Sequence, residues 1–150
     1  MQVNLAAPLA LARELAAQTD LDDGAIVNLL DQKLANPNPD YLSYTCTKHA
    51  LAAATEMLAQ AYAPRIRVNA VSPGLTLKSG DQSDAQFAHV ARANLLERPV
   101  GADAVVEAVL YLLGARSVTG HNLFVDSGQR FVKRDGDVMF DTVPRPGGAQ

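Results

Sequence analysis

The stretch Gly24–Ala50, GAIVNLLDQKLANPNPDYLSYTCTKHA, contains the residues that decide the fold class. Gly24-Ala25-Ile26-Val27-Asn28-Leu29-Leu30 is a short, nearly continuous apolar run, the pattern of a parallel strand buried on both faces. Asp31 stands at its end. Asn36-Pro37-Asn38-Pro39 lies between Lys33 and Asp40; proline fixes φ and removes a backbone donor, so this segment is a loop. From Leu42 to about Tyr62 the chain is rich in Ala, Leu and Met and reads as a long helix.

The same alternation continues in both directions. Asn4 to Gln18 is Ala/Leu-rich with one Arg13-Glu14 pair and predicts a helix, closed by a polar break from Thr19 to Asp23. After Pro64, Ile66-Arg67-Val68-Asn69-Ala70-Val71 carries the β-branched alternation of a second strand, and Ser72-Pro73-Gly74 turns the chain. Leu75 to Asp84 is a polar loop, followed by helical patches at about Gln86 to Leu95 and, with Val105, Val109, Leu112 and Leu113 in helical spacing, at Ala102 to Leu113. Gly114 suits a helix stop. Asn122 to Asp126 is a third strand, ending at Ser127-Gly128. The expected organisation is one domain over residues 1–131 and a loose tail over 132–150, where Pro144, Pro146, Gly147 and Gly148 gather.

Strands alternating with helices predict an α/β fold with a parallel sheet. In such folds chemistry collects beyond the carboxyl ends of the strands, the position of Asp31, Pro73-Gly74 and Asp126-Ser127-Gly128. The 150 residues are 48% hydrophobic, enough for one domain with a real core, and the net charge of -3 gives no basic footprint for nucleic acid. Cys46, the single cysteine, excludes an internal disulfide, and no run approaches the roughly 18 apolar residues of a membrane span. The expected location is cytoplasmic. His49, His89 and His121 have no metal-ligand spacing, so no metal site is expected, and Cys46 reads as a packing residue.

Tyr44 and Lys48 are four residues apart and share one face of the long helix. A nearby ammonium favours phenolate and lowers a tyrosine's pKa, allowing proton relay to or from a carbonyl, imine or alcohol. An amphipathic helix with a surface lysine gives the same spacing.

Taken with Arg67-Val68-Asn69-Ala70-Val71-Ser72-Pro73-Gly74, Thr119-Gly120 and Val125-Asp126-Ser127-Gly128, the pair resembles the C-terminal half of the short-chain dehydrogenase/reductases over about residues 2 to 131. The resemblance implies a doubly wound, Rossmann-like parallel sheet and an NAD(P)-dependent oxidoreductase. It implies that Tyr44 is the catalytic acid/base, and that Lys48 lowers its pKa and holds the nicotinamide ribose. Asn4 is implied to support a water-linked relay to the lysine; as a plain residue it would be a helix cap. Pro73 and Gly74 match the turn beside the nicotinamide, and Thr76 a cofactor-contacting hydroxyl, or else an ordinary loop threonine. Leu77 to Leu96 matches the substrate-covering loop, and a homo-oligomer is implied through the tyrosine helix and the last helix and strand.

Most members of the family carry a serine where this chain has Asp31, thirteen residues before the tyrosine. A carboxylate only accepts hydrogen bonds, so it selects an N–H-bearing partner. The arrangement is similar to that of pteridine reductases and the dihydromonapterin/dihydrofolate reductases, implying a small pterin-like substrate and NADP, with NAD left open. The plain reading of Asp31 is an acid capping a turn. No G-x-G-x-x-G is present, and the expectation by resemblance is a truncated chain lacking the nucleotide-binding strands, with an uncovered strand edge. Three readings stand: such a reductase, a reductase or dehydrogenase of a non-pterin carbonyl or alcohol, and a catalytically silent fragment or interaction subunit.

Overall fold

A computed structural model describes residues 1–78, 80 and 82–142. A π-helical turn at Gln2–Ala6 runs directly into helix α1, Ala7–Ala16, with Pro8 in its first turn, where the missing N–H costs nothing. Strand β1 is Gly24–Leu29, helix α2 Leu42–Tyr62 and strand β2 Ile66–Pro73. Helices α3, Asp84–Val90, and α4, Ala102–Gly114, lead to strand β3, Asn122–Val125. The three strands pair in parallel in the order β1-β2-β3. Gly24 lies opposite Ile66 and Leu29 opposite Val71; Ala70 lies opposite Asn122 and Pro73 opposite Val125.

The pleat sorts β2 between two layers. Ile66 and Val68 pack with Ala59 of α2, Leu15 of α1 and Ile26, while Ala70 meets Leu30 and Leu51. Val71 points the other way, against Ala108 and Leu112 of α4. Helices therefore cover both faces of a parallel sheet, the expected α/β arrangement and part of a Rossmann-like fold. Burial on both faces is why β1 reads as an apolar run.

Buried polar groups brace these layers. Asn28 of β1 donates through Nδ2 to Thr55 Oγ1 of α2 at 3.0 Å. Arg67 reaches the end of α4, donating to the carbonyls of Leu112, Leu113 and Ala115 at 2.8–2.9 Å. A helix C-terminus presents unpaired carbonyls and partial negative charge, and α4 has no basic residue in its own last turn, so the cap comes from the neighbouring strand. Asn69 binds the Val118 carbonyl and the His121 N–H, fastening the loop that leads into β3. The polar members of the second-strand motif are thus structural braces.

The structure removes one alternative reading and departs from expectation in two further places. Asn4 lies inside the opening turn and caps no helix. The helical patch expected to reach Leu95 stops at Val90, because the Asn94 side chain takes up the carbonyls of Ala91 and Arg98 and offers the backbone an alternative to helix. Residues 132–142, expected as loose tail, are folded against the domain. Asn36 donates to the Val132 carbonyl, the Asp137 N–H donates to Asp40, and Val138 is buried at the start of a 3-10 turn, Val138–Asp141. These partners lie about a hundred positions away in sequence, so local pattern carried no sign of them. The prolines and glycines at 144–148 lie outside the described residues.

Candidate active site

Asp31 follows β1 in extended backbone and performs two tasks at once. Its Oδ1 accepts the Lys33 N–H at 2.8 Å, capping the 3-10 turn Gln32–Leu34. Its Oδ2 accepts the Tyr44 hydroxyl at 2.7 Å. Turn-capping and partnership with the tyrosine, which the sequence left as alternatives, are two oxygens of one carboxylate.

Tyr44 lies in the first turn of α2 and is half-buried. Burial pushes its pKa above the ordinary phenol value, and the charge and hydrogen bond of Asp31 push it further the same way. Lys48, one turn on, places Nζ 5.6 Å from the centre of the Tyr44 ring, but donates at 2.7 Å to the Leu29 carbonyl. Desolvation lowers the pKa of Lys48, opposed by Asp31. The expected lowering of the tyrosine's pKa by the lysine is therefore reversed in this arrangement: the nearest strong charge to the phenol is a carboxylate. At neutral pH Tyr44 is a protonated donor.

Pro73-Gly74 forms the opposite lip. The Gly74 N–H donates to the Val125 carbonyl at 2.9 Å, so the turn lies flat against the end of β3. A Cβ on Gly74 would stand 2.8 Å from the Asp126 Cα and 2.7 Å from Gln129 Oε1, closer than real contacts allow, so only glycine fits. Thr76 donates to the Gly74 carbonyl, and Gln129 Oε1 accepts the Leu75 N–H, both at 2.8 Å. Asp126, buried, accepts the N–H groups of Gly128 and Arg130 and pairs with the Arg130 guanidinium. The motif after β3 thus holds the turn after β2.

Asp31, Tyr44, Pro73, Gly74 and Thr76 line one cleft of about 780 Å³ beyond the carboxyl ends of the strands. Asn4 does not line it. It lies with Lys48 in a separate groove along β1, lined by Pro8, Leu11 and Leu15 of α1, and Leu29 borders both hollows. Among the described residues β1 pairs only with β2, so the groove runs along an open strand edge.

The cleft also contains residues that sequence reasoning missed: Lys33, Tyr41, Gln129, Asp137, Val138 and Met139. Lys33 is buried and ion-paired to Asp137 at 2.9 Å. Tyr41 has a left-handed φ of 56° and stacks on Phe140 with ring centres 5.8 Å apart. An apolar run, Val138-Met139-Phe140, behind a turn-capping aspartate was the one local hint that this segment was structured. Among the described residues no group of three or more His, Cys, Asp or Glu side chains is arranged to hold a metal. Among the described residues no helix is long and apolar enough to cross a membrane.

Residues 1–130 match the protein family described as enoyl-(acyl carrier protein) reductase. L-xylulose reductase of Mesocricetus auratus is 38% identical over 112 residues, covering 70% of this chain and 46% of that protein. Dihydromonapterin reductase of Enterobacter sp. (strain 638) is 29% identical over 133 residues, covering 86% of this chain and 55% of that protein. Among solved structures, FolM alternative dihydrofolate reductase 1 from Brucella canis, complexed with NADP, superposes with a TM-score of 0.82 at 39% identity, covering 88% of this chain and 53% of that one. The chain spans about half the length of the curated relatives it matches.

Proposed function

Because the chain belongs to the short-chain dehydrogenase/reductase family, we propose that it carries the proton-handling part of an NADPH-dependent reductase of a pterin-type substrate. The carrying observation is the 2.7 Å hydrogen bond from the Tyr44 hydroxyl to Asp31. A hydroxyl partner in place of Asp31 could both donate and accept; a carboxylate only accepts. The pair therefore suits a ring with an N–H for Asp31 to hold and a neighbouring nitrogen for Tyr44 to protonate. The resemblance to a dihydromonapterin reductase and a dihydrofolate reductase supports the same substrate class.

The donor set fits the nicotinamide end of a dinucleotide. The Lys48 ammonium and Tyr44 hydroxyl would hold ribose oxygens, and the tightly held Pro73-Gly74 turn with the Thr76 hydroxyl would take the nicotinamide end. NADPH, when bound, supplies the hydride. The chain's own residues manage the proton. Asp31 Oδ2 accepts the substrate N–H, releasing the Tyr44 hydroxyl to turn toward the substrate; the phenol, protonated through neutral pH, then donates to the nitrogen beside the carbon being reduced. Thr76 and Gln129 keep the 74–76 turn in place. Asn4 shares the groove of Lys48, which suits a relay refilling the proton. The reading extends to a cytoplasmic protein that self-associates through the exposed Leu42 and Met57 of α2 and Leu110 and Tyr111 of α4.

A second reading is reduction of a sugar ketone, favoured by the 38% identity to an L-xylulose reductase. Both are tested by following NADPH absorbance with the purified chain and either a dihydropterin or a pentulose. Oxidation with the dihydropterin, strongly reduced in Asp31→Ser, is expected. Oxidation with the pentulose alone selects the second reading, and an absence of saturable NADPH binding would leave a silent interaction subunit.

A further inference from the structure

Lys33 is 3% exposed in a chain whose cations are otherwise mostly at the surface. Burying an ammonium is expensive, so a lysine held this deep against a half-buried carboxylate points to a demand for geometry. Its Nζ donates to the Asp40 carbonyl at 2.7 Å and to Asp137 Oδ2 at 2.9 Å, and stands 5.2 Å from the centre of the Tyr41 ring. The other oxygen of Asp137 accepts the Met139 N–H and so begins the 3-10 turn. The Asp137 N–H returns to Asp40. At the same residue, the Lys33 main chain holds Asp31 Oδ1. One residue thus grips the carboxylate beside Tyr44 with its backbone and the segment facing it with its side chain.

That segment forms part of the cleft. Asp137, Val138 and Met139 line it with Asp31 and Tyr44, and Phe140 stacks on Tyr41, whose hydroxyl contacts the Met139 sulfur. We infer that residues 132–142 are the substrate-facing wall of the cleft, latched by the Lys33–Asp137 ion pair, and that Lys33 is a positioning residue which sets substrate affinity through this wall. The adaptable thioether of Met139 and the face of Tyr41 then offer a flat ring an apolar seat. The part of the inference that concerns substrate rests on the proposed function; the latch does not.

Hydrogen–deuterium exchange of the full 150-residue chain, without ligand, tests the latch. Lys33→Met should speed exchange of the Met139, Phe140 and Thr142 amides by at least about tenfold while leaving β2 amides within about twofold. Asp137→Asn, which keeps an oxygen for Lys33, covers the case in which Lys33→Met does not fold, and should give a smaller rise confined to the same amides. The double variant should be no worse than Lys33→Met alone, because the two groups act as one contact. Unchanged protection, additive effects or equal loss in β2 would overturn the latch. In dihydropterin turnover, Lys33→Met should raise KM by about tenfold or more, with the smaller change in kcat; a fall confined to kcat would overturn the positioning role. Absence of turnover in every variant counts against the proposed function, and the exchange data still decide the latch.

Discussion

The cleft and the groove on either side of Leu29 are built on different plans. In the cleft, Asp31, Lys33, Tyr44, Thr76 and Gln129 each have a side-chain hydrogen bond to another residue of the chain, and a segment from the far end of the sequence closes one side. In the groove, Lys48 and Asn28 are bonded, while the Asn4 side chain has no hydrogen-bond partner among the described residues. The rest of its lining is apolar, with Leu11 and Val3 at 71% and 81% exposure. The cleft holds its geometry from within, as proton transfer over hydrogen-bond distances requires. The groove presents an edge strand and apolar side chains, surface that gains most from being covered.

The sharpest way to break this contrast is to remove the phenol hydroxyl. Tyr44→Phe should lower NADPH-dependent turnover about 10²–10⁴-fold, the usual worth of a positioned acid, with nucleotide affinity much less affected. Unaltered turnover would mean that the cleft is ordered for some other purpose.

A second measurement sharpens the electrostatics. Tyr44 has a folded pKa raised above the ordinary phenol value, first by burial and then by Asp31. An unfolded tyrosine ionises near 10, so the folded state holds this proton more tightly. The associated stability is complete below about pH 10 and is lost as pH rises through the higher folded value. Absorbance at an alkaline-titration wavelength, taken as the difference from Tyr44→Phe, should show late ionisation. Asp31→Asn should move it down toward 10 without reaching it, because burial remains; a rise would contradict the assigned causes.

Gly74→Ala probes the other lip. With a Cβ driven against the Asp126 backbone, it should cost about 1–3 kcal/mol in urea unfolding, the range for overpacking. A neutral result would show that the turn yields easily. The smallest effect belongs to the groove: Asn4→Ala should change stability by less than about 0.5 kcal/mol, as it caps nothing, whereas loss of a true cap costs about 1. A substantial loss would give Asn4 a structural role and narrow the difference between the two hollows.

Much of this molecule was legible in local pattern. A nearly continuous apolar run marked β1, β-branched alternation marked β2, Pro37 and Pro39 marked the loop, and the Ala/Leu-rich segment after them marked α2. The placement of Asp31 and Pro73-Gly74 beyond strand ends followed from the α/β arrangement alone. Residues whose partners are remote left almost no trace. Arg67 looked like a strand residue, and only the packed α4 reveals it as a cap. Lys33 looked like a loop lysine, yet it is buried, and its carboxylate partner is 104 positions away.

Element order, the α/β class and the identity of the groups gathered at the strand ends follow from local pattern, because periodicity and turn chemistry act over a few residues. How those groups are joined is set by packing. Whether Tyr44 answers to Lys48 or to Asp31 depends on burial and on which atom lies within hydrogen-bond reach. Whether residues 132–142 hang free or wall the cleft depends on contacts with Lys33, Asn36, Asp40 and Tyr41, about a hundred positions away. Both are properties of the space between elements, which no window along the chain contains.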